Sequence, residues 1–176
     1  AATALPLKWL GPKKPKIIGI VGVGTMATNA LRCLVELYDC IEEIRCTSRS
    51  PETRKAFSEK WSSALDINVV PKDSIEEVVK GADIGIGGTT SDEIMCREPW
   101  LKPGGTYVSF SRREFDPKGW PLMDKVVVDS WEMNMLMKHF RASAEAGIFT
   151  HDMLHGEIHQ LISGDIQGRE NDVERN

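Results

Sequence analysis

Residues 16–21 (KIIGIV) form a short and almost entirely apolar run with no polar alternation. Such a run is typical of a strand with both faces buried, as in a parallel sheet that is covered by helices. A helical pattern follows at once, because Met26, Ala30, Leu34 and Leu37 recur at intervals of three or four residues. We therefore predict that the chain opens its fold with a strand-to-helix unit.

The same alternation continues along the chain. Further strand-like runs lie at residues 44–46, 68–70, 84–87, 106–110 and 125–129, with helical or loop segments between them. Alternating strands and helices predict right-handed crossovers and a parallel sheet. We expect an α/β, doubly wound Rossmann fold with a mostly parallel six-stranded sheet and helices on both faces. A single domain is expected over residues 1–176, with a lead-in helix at 1–10 and extra C-terminal helices at 131–163.

Composition excludes several classes of protein. The 22 Lys and Arg against 26 Asp and Glu give a net charge of −4, so the basic field of a nucleic-acid-binding domain is missing. No apolar run approaches the roughly 20 residues that a membrane helix needs. The four cysteines show no CxxC spacing, which argues against a zinc site or a disulfide framework. We expect a cytoplasmic protein with neither nucleic acid nor a membrane as partner.

A glycine-rich motif of the form GxGxxA follows the first predicted strand and opens the first helix. In this frame Gly22 allows the tight turn, Gly24 lets a pyrophosphate approach the backbone, and the small Ala27 lets the helix pack closely on the sheet. The amides at the helix start then hold phosphates. A glycine turn without a ligand is the alternative. The cofactor-binding residues predicted here are Gly22, Val23, Gly24, Thr25 and Met26.

The end of the second predicted strand indicates which dinucleotide binds. An NAD-selective site places Asp or Glu there, about 20 residues after the glycines, whereas this chain carries Ser48, Arg49 and Ser50. Arg49 can hold a 2′-phosphate in a fork, and the two serines can donate hydrogen bonds to it. We predict NADP(H) as the preferred cofactor and NAD(H) as the alternative. Arg54 is a second candidate for binding the 2′-phosphate. The alternative interpretation is that Arg49 is only a solvated cation of the loop.

Two more small, hydroxyl-bearing loops follow predicted strands. Thr89, Thr90 and Ser91 come after the fourth strand, and Ser109 to Ser111 follow the fifth. Loops at the carboxyl ends of parallel strands meet at one edge, so we predict that Thr89, Thr90, Ser91 and Ser109 bind the cofactor. The alternative is that both loops are ordinary Gly- and Ser-rich turns.

His151, His155 and His159 are spaced four residues apart in a segment expected to be helical. This spacing could place two imidazoles on one metal ion. No acid or thiol completes an evident ligand set, so we predict no metal site and interpret the histidines as an exposed or interface helix face.

With these residues in view, the chain resembles the ornithine cyclodeaminase/mu-crystallin family. The similarity is carried by the order of six short segments that span nearly the whole chain. They are residues 18–24 (IGIVGVG), 81–84 (GADI), 100–104 (WLKPG), 126–130 (VVVDS), 155–158 (HGEI) and 168–172 (GREND). The stretch at Ser48–Ser50 is similar to the NADPH-using ketimine reductase branch of this family.

The resemblance implies a nicotinamide-dependent oxidoreductase that transfers a hydride at the C–N bond of a small imino or amino acid, as a ketimine reductase or an amino-acid dehydrogenase such as alanine dehydrogenase. It also implies that the substrate and dimerisation domain of the family is absent from these residues, and that the full-length protein is a homo-oligomer. This chain is then the cofactor-binding domain.

One loop departs from the family pattern. Cyclodeaminases carry an Asp-x-Pro-Gly-Lys-x-Glu-Leu type loop with a catalytic Asp after the fifth strand, whereas residues 109–116 read SFSRREFD. The catalytic residues are therefore unknown, and we expect Glu114 to form a surface salt bridge. An ornithine cyclodeaminase-type lyase and a non-catalytic NADPH-binding protein remain as alternative functions.

Overall fold

The first predicted strand is observed as β1 (Ile17–Val21), in the middle of a five-stranded sheet. The structure is a computed structural model that describes residues 4–91, 93–110 and 114–176. The other strands are β2 (Glu43–Thr47), β3 (Asn68–Pro71), β4 (Ile84–Gly87) and β5 (Thr106–Ser109). All neighbours pair in parallel, in the order β3-β2-β1-β4-β5.

Helices connect these strands where the sequence provides starting signals. They are α2 (Thr25–Leu37), α3 (Pro51–Leu65) and α4 (Ile75–Val79). Ser50 caps α3 by accepting a hydrogen bond from the Thr53 amide, and Pro51 occupies the first helical turn. Ser74 and Glu77 form a capping box on α4.

Both faces of the sheet are buried, as the apolar strands predict. Ile18 and Ile20 of β1 pack with residues of α2 and α3, whereas Val21 joins a second cluster that contains Val78 and Val79 of α4. On that second face a Cβ at Gly19 would overlap the Val78 carbonyl, so the helix lies directly on the strand. The α/β Rossmann-type fold with helices on both faces is therefore confirmed.

The prediction of a sixth strand in this sheet is wrong. β6 (Val127–Val128) lies within the expected residues 125–129 but pairs with β7 (Gly156–Glu157) in a separate two-stranded sheet. The outer edge of β5 is taken by the C-terminal residues: the Tyr107 amide donates to the Asn176 carbonyl (2.8 Å), and the Asn176 amide donates to the Gly105 carbonyl (3.1 Å). A cavity of about 570 Å³ lies between β5 and β6.

The segment after β6 is largely helical, as predicted, but it is broken into short pieces. These are α5 (Trp131–Met135), α6 (Lys138–Glu145), a 3₁₀ turn at His151–Met153 and α7 (Ile158–Ser163), with β7 between the last two. The lead-in helix α1 covers only Leu7–Leu10, and residues 1–3 of the expected helix lie outside the described part of the chain. None of the helices in the described ranges is long and apolar enough to cross a membrane.

A buried ion cluster ties the C-terminal residues to the start of β6. The Lys125 ammonium donates to the Gly168 carbonyl (2.7 Å) and to the carboxylates of Glu170 (2.7 Å) and Glu174 (3.1 Å). Burial by itself raises the pKa of Glu174, but hydrogen bonds from Lys125 and the Glu170 amide bring that pKa below its ordinary value. The ionised carboxylate therefore stabilises the folded chain.

We expect Glu174→Gln to lower the free energy of unfolding by about 1–3 kcal/mol at pH 7, because a buried ammonium loses one charged partner. Since the folded pKa of Glu174 is depressed, its contribution is complete above the unfolded pKa of about 4.3 and is lost as the pH falls through the folded pKa. Urea unfolding of both proteins between pH 7 and pH 3 measures this. A difference that stayed constant over that range would contradict the assignment.

Candidate functional site

The loops that follow β1, β2, β4 and β5 meet at one edge of the sheet. The strand ends are in register, since Val21 pairs with Thr47 on one side and with Gly87 on the other, and Gly87 pairs with Ser109. Ligands of open parallel sheets bind in the crevice outside these carboxyl ends, at the point where the strand order reverses. β1 lies at that point, between β2 and β4.

Gly22 makes the turn that leaves β1. Its φ is +89°, a conformation that favours glycine, and its amide donates to the Thr47 carbonyl (2.9 Å). A Cβ at this position would lie 2.7 Å from the Gly88 carbonyl oxygen and 2.9 Å from the Thr89 methyl carbon. The next residue, Val23, is half-buried and packs against the apolar core. The turn is therefore fixed by backbone geometry on three strands.

Gly24 leaves open space in front of the first turn of α2. A Cβ built on Gly24 meets no atom within 4 Å, and its φ of −79° is an ordinary one. The first helical hydrogen bond runs from Thr28 to the Gly24 carbonyl (3.0 Å), and the amides of Thr25, Met26 and Ala27 donate to no described residue. These donors and the positive end of a 13-residue helix dipole form a seat for an anion. The binding of a diphosphate at this place stays a prediction of the glycine motif.

The side chains around the seat are placed as the motif requires. Thr25 and Met26 are exposed at the helix start, whereas Ala27 is fully buried and lies against Gly88. A larger residue at position 27 would push α2 away from the sheet and carry its amides out of position.

Arg49 is a cation two residues after the end of β2. It is exposed and makes no hydrogen bond or ion pair with the residues that the structure describes. Arg54, the second candidate, is instead held by a hydrogen bond to the Ser48 carbonyl (3.1 Å) and by an ion pair with Asp73. The Arg54 side chain is only 14% exposed, so it supports the backbone of the loop and is not presented to solvent.

The two serines beside Arg49 have local partners. The Ser48 hydroxyl donates to the Ser50 carbonyl (2.9 Å), and the Ser50 hydroxyl donates to the Glu52 carboxylate (2.7 Å) while it caps α3. The hydrogen bond from Ser50 lowers the pKa of Glu52. To donate to a phosphate, either hydroxyl must give up its present acceptor, whereas Arg49 has no partner among the described residues.

The loops after β4 and β5 are joined by Glu114. Its carboxylate accepts hydrogen bonds from the Thr89 amide (3.0 Å), the Ser109 hydroxyl (3.0 Å) and the Phe110 amide (2.7 Å). The expectation that Glu114 forms a surface salt bridge is wrong as to its location, because the residue is 0% exposed. The sequence shows a glutamate in a charged loop, and only the packing of two other loops over it reveals the burial.

Two of the predicted cofactor-binding residues of these loops, Thr89 and Ser109, contact this carboxylate. The Thr89 hydroxyl accepts a hydrogen bond from the Ser91 amide (3.2 Å), and Thr90 and Ser109 are exposed. The structure thus brings Thr89, Thr90, Ser91 and Ser109 to the same edge as the anion seat. Ser111 and Asp92 lie outside the described residues.

The three histidines do not share one helix. His151 lies in the 3₁₀ turn, His155 precedes β7, and His159 lies in α7. The ring of His155 forms a hydrogen bond with the Gln167 carbonyl (2.7 Å), and His151 contacts the Trp131 ring edge-on. The prediction of one helical face is wrong, because Gly156 adopts the extended conformation of β7. Among the described residues, no three His, Cys, Asp or Glu side chains are grouped so that they could hold a metal ion.

The chain is similar over almost its whole length to proteins of one known family. The model of the ornithine cyclodeaminase/mu-crystallin family matches residues 1–175. N-((2S)-2-amino-2-carboxyethyl)-L-glutamate dehydrogenase of Staphylococcus aureus is 29% identical over 176 residues, which cover 99% of this chain and 52% of that protein. Ketimine reductase mu-crystallin of Rattus norvegicus is 30% identical over 168 residues, which cover 93% of this chain and 50% of that protein. The chain spans about half the length of the curated relatives it matches.

A solved structure has nearly the same fold as this chain although the sequence identity is low. Thermococcus litoralis Delta(1)-pyrroline-2-carboxylate reductase, in complex with NADH and L-proline, superposes with a TM-score of 0.88 at 27% identity. The alignment covers 99% of this chain and 55% of that chain. The resemblance inferred from the sequence segments is confirmed.

The two glycines of the motif should respond differently to substitution by alanine. We expect Gly22→Ala to lower the free energy of unfolding by about 1–3 kcal/mol, because its φ is positive and the Cβ space is filled. Gly24→Ala should change that free energy by less than about 0.5 kcal/mol, because its Cβ points into open space. It should nevertheless weaken dinucleotide binding by about tenfold or more, since the methyl group occupies the diphosphate seat.

Urea unfolding and fluorescence titration with NADPH and NADH measure the two effects. Gly22→Ala tests the effect on stability, with Gly24→Ala as its control. Gly24→Ala tests the effect on dinucleotide binding. Wild-type affinity in a folded Gly24→Ala protein would show that the diphosphate does not sit at the start of α2.

Proposed function

Because the chain belongs to the ornithine cyclodeaminase/mu-crystallin family, we propose that it is the cofactor-binding domain of an NADP(H)-dependent oxidoreductase. The reaction is hydride transfer at the C–N bond of a small imino or amino acid, as in a ketimine reductase or an amino-acid dehydrogenase. One observation carries the proposal: three amides at the start of α2 donate to no described residue, and a Cβ at the neighbouring Gly24 would meet no atom within 4 Å. This is the arrangement that a dinucleotide diphosphate requires.

The residues of this chain bind and orient the cofactor. We infer that the α2 amides hold the diphosphate and that Thr90 and Ser109, two exposed residues at the ends of β4 and β5, contact a ribose. A nicotinamide held by these residues would supply the hydride for the imine carbon or take one up from the amine carbon, with a proton added to or lost from the nitrogen. We assign no catalytic acid to the described residues of this chain.

NADP(H) is the cofactor we propose to be preferred, with NAD(H) as the alternative. The loop after β2 has no acid at the position that binds a ribose 2′-OH, and Arg49 is exposed with no partner among the described residues. A guanidinium matches the geometry of a phosphate monoester, whereas nothing in residues 48–50 selects a hydroxyl pair. Thermococcus litoralis Delta(1)-pyrroline-2-carboxylate reductase is in complex with NADH, which is why NAD(H) stands as the alternative.

We also propose an organisation and a location for the whole protein. We infer that residues 1–176 form one NAD(P)-binding domain, and that the groups that hold the substrate lie in the half of the longer relatives that this chain does not match. A homo-oligomer assembled through that other half is proposed as well. The four cysteines are free thiols, which supports a reducing cytoplasmic location.

The loop after β5 favours one alternative. In cyclodeaminases it carries a catalytic Asp in an Asp-x-Pro-Gly motif, and residues 109–116 lack that motif. A non-catalytic NADPH-binding protein is therefore the second candidate function, and a cyclodeaminase-type lyase is the less favoured one.

Cofactor preference is tested by titrating the chain with NADPH and NADH. We expect NADPH to bind more tightly, and Arg49→Ala to cost about 1–3 kcal/mol of NADPH binding with little change for NADH, as for a hydrogen bond to a charged group. Lys55→Ala is the matched control, because Lys55 is a nearby cation on α3 whose side chain is 73% exposed. It should leave both affinities nearly unchanged. Equal affinities of the wild-type chain for the two cofactors would contradict the preference.

The reaction is tested with the full-length protein that contains this chain. We expect oxidation of NADPH in the presence of cyclic imines, or of a 2-oxoacid with an amine, followed by absorbance at 340 nm. Ammonia released from ornithine without net reduction of the cofactor would instead indicate the lyase. Tight NADPH binding with neither reaction over a broad panel of imines would support the binding protein.

A further inference from the structure

Glu114 is the most completely buried carboxylate at the cofactor edge, and its partners belong to the two loops predicted to bind the cofactor. We propose that Glu114 is a positioning residue that sets the place of the nicotinamide half of the dinucleotide by fixing the loops after β4 and β5 together. This inference rests on the proposed function of the edge as a dinucleotide site. It concerns a residue that does not need to touch the cofactor.

Three segments of backbone converge on this residue. The Oε1 atom accepts the hydrogen bond from the Thr89 amide, and Oε2 accepts those from the Phe110 amide and the Ser109 hydroxyl. The Glu114 carbonyl also accepts hydrogen bonds from the amides of Met95 (2.8 Å) and Cys96 (2.7 Å). A displacement of Glu114 would therefore shift both ends of the loop after β4, at Thr89 and at Met95. It would also shift the backbone that follows β5.

The carboxylate packs directly against the end of β4. It lies on the bare backbone of Gly87, the last residue of β4, where a Cβ would come within 2.5 Å of Oε2 and 2.6 Å of the Tyr107 hydroxyl. The absence of a side chain at position 87 creates the space that the carboxylate fills. The glycine and the glutamate thus form one packed unit between β4 and β5.

The position of Glu114 limits its effect to one half of the cofactor. The diphosphate seat lies over β1, and the groups that recognise the adenosine ribose lie at the end of β2, where Arg49 is found. The nicotinamide half must then extend over β4 and β5 on the opposite side of β1. Glu114 is hydrogen-bonded to loops on that side and to none on the β2 side among the described residues.

A carboxylate is needed because the converging groups are all donors. Two amides and a hydroxyl meet two oxygens, and an ionised carboxylate accepts from all of them. A glutamine has the same shape, but one of its two terminal atoms is an NH₂ group that would face a donor. Glu114→Gln therefore disturbs the loops with the smallest change in volume.

The experiment compares the wild-type chain, Glu114→Gln and Glu174→Gln, each titrated with NADPH and with adenosine 2′,5′-bisphosphate. Glu174→Gln is the matched control, because it also removes the charge of a buried carboxylate, at the opposite end of the strands. We expect Glu114→Gln to weaken NADPH binding by about 10- to 100-fold, the range of a hydrogen bond to a charged group. Its affinity for adenosine 2′,5′-bisphosphate should stay within about twofold of wild type, as should both affinities of Glu174→Gln.

Several results would overturn the inference. Wild-type NADPH affinity in Glu114→Gln shows that the loops do not depend on the carboxylate, and an equal loss for both ligands shows that Glu114 only supports the fold. If Glu114→Gln does not fold, Glu114→Asp replaces it, since it keeps the charge but is too short to reach both loops, and the same selective loss is expected. A wild-type chain that binds neither NADPH nor NADH would overturn the proposed function itself, whereas the other outcomes leave that function intact.

Discussion

The turn at Gly22 is the constraint on which the rest of the site depends. Its amide donates to the carbonyl at the end of β2, and the Gly88 amide after β4 donates to the Val21 carbonyl (2.9 Å). Because the space for a Cβ is already filled by the Gly88 carbonyl and Thr89, the three strand ends can approach only around a glycine. This close approach points the start of α2 at the crevice, so the anion seat arises from backbone packing and needs no charged side chain.

Features that depend on neighbouring residues could be predicted from the sequence. The strand and helix alternation and the two motif glycines each rest on residues a few positions apart, and the structure shows the first strand, the glycine turn and the helix after it where the sequence predicts them. The sixth strand could not be predicted in this way. Its apolar residues fit a strand in either sheet, and the choice was made by residues 173–176, which occupy the edge of β5 through contacts that no local pattern records.

Burial of charged groups was the other feature that local pattern did not reveal. Glu114 stands among charged residues in the sequence, and Lys125 precedes an apolar strand, yet both are buried. Each is held by partners far away in the chain: Thr89 for Glu114, and Glu174 for Lys125. A buried ionised group is tolerated only when such partners satisfy it, so its burial is a property of the assembled fold.

Charged residues act differently on the two sides of the candidate site, which are the loop after β2 and the loops after β4 and β5. Arg49 is exposed, so water and salt weaken its attraction for a phosphate, and the role we propose for it is to select between NADPH and NADH. Glu114 carries a charge of the same sign as the cofactor phosphates, and three hydrogen-bond donors of the protein are directed at it instead. Because its charge is compensated within the fold, the carboxylate orders the loops without adding a strong repulsion to the crevice. If the edge binds the cofactor as we propose, the two loops that Glu114 joins are ordered before the ligand arrives, and less conformational entropy is lost on binding.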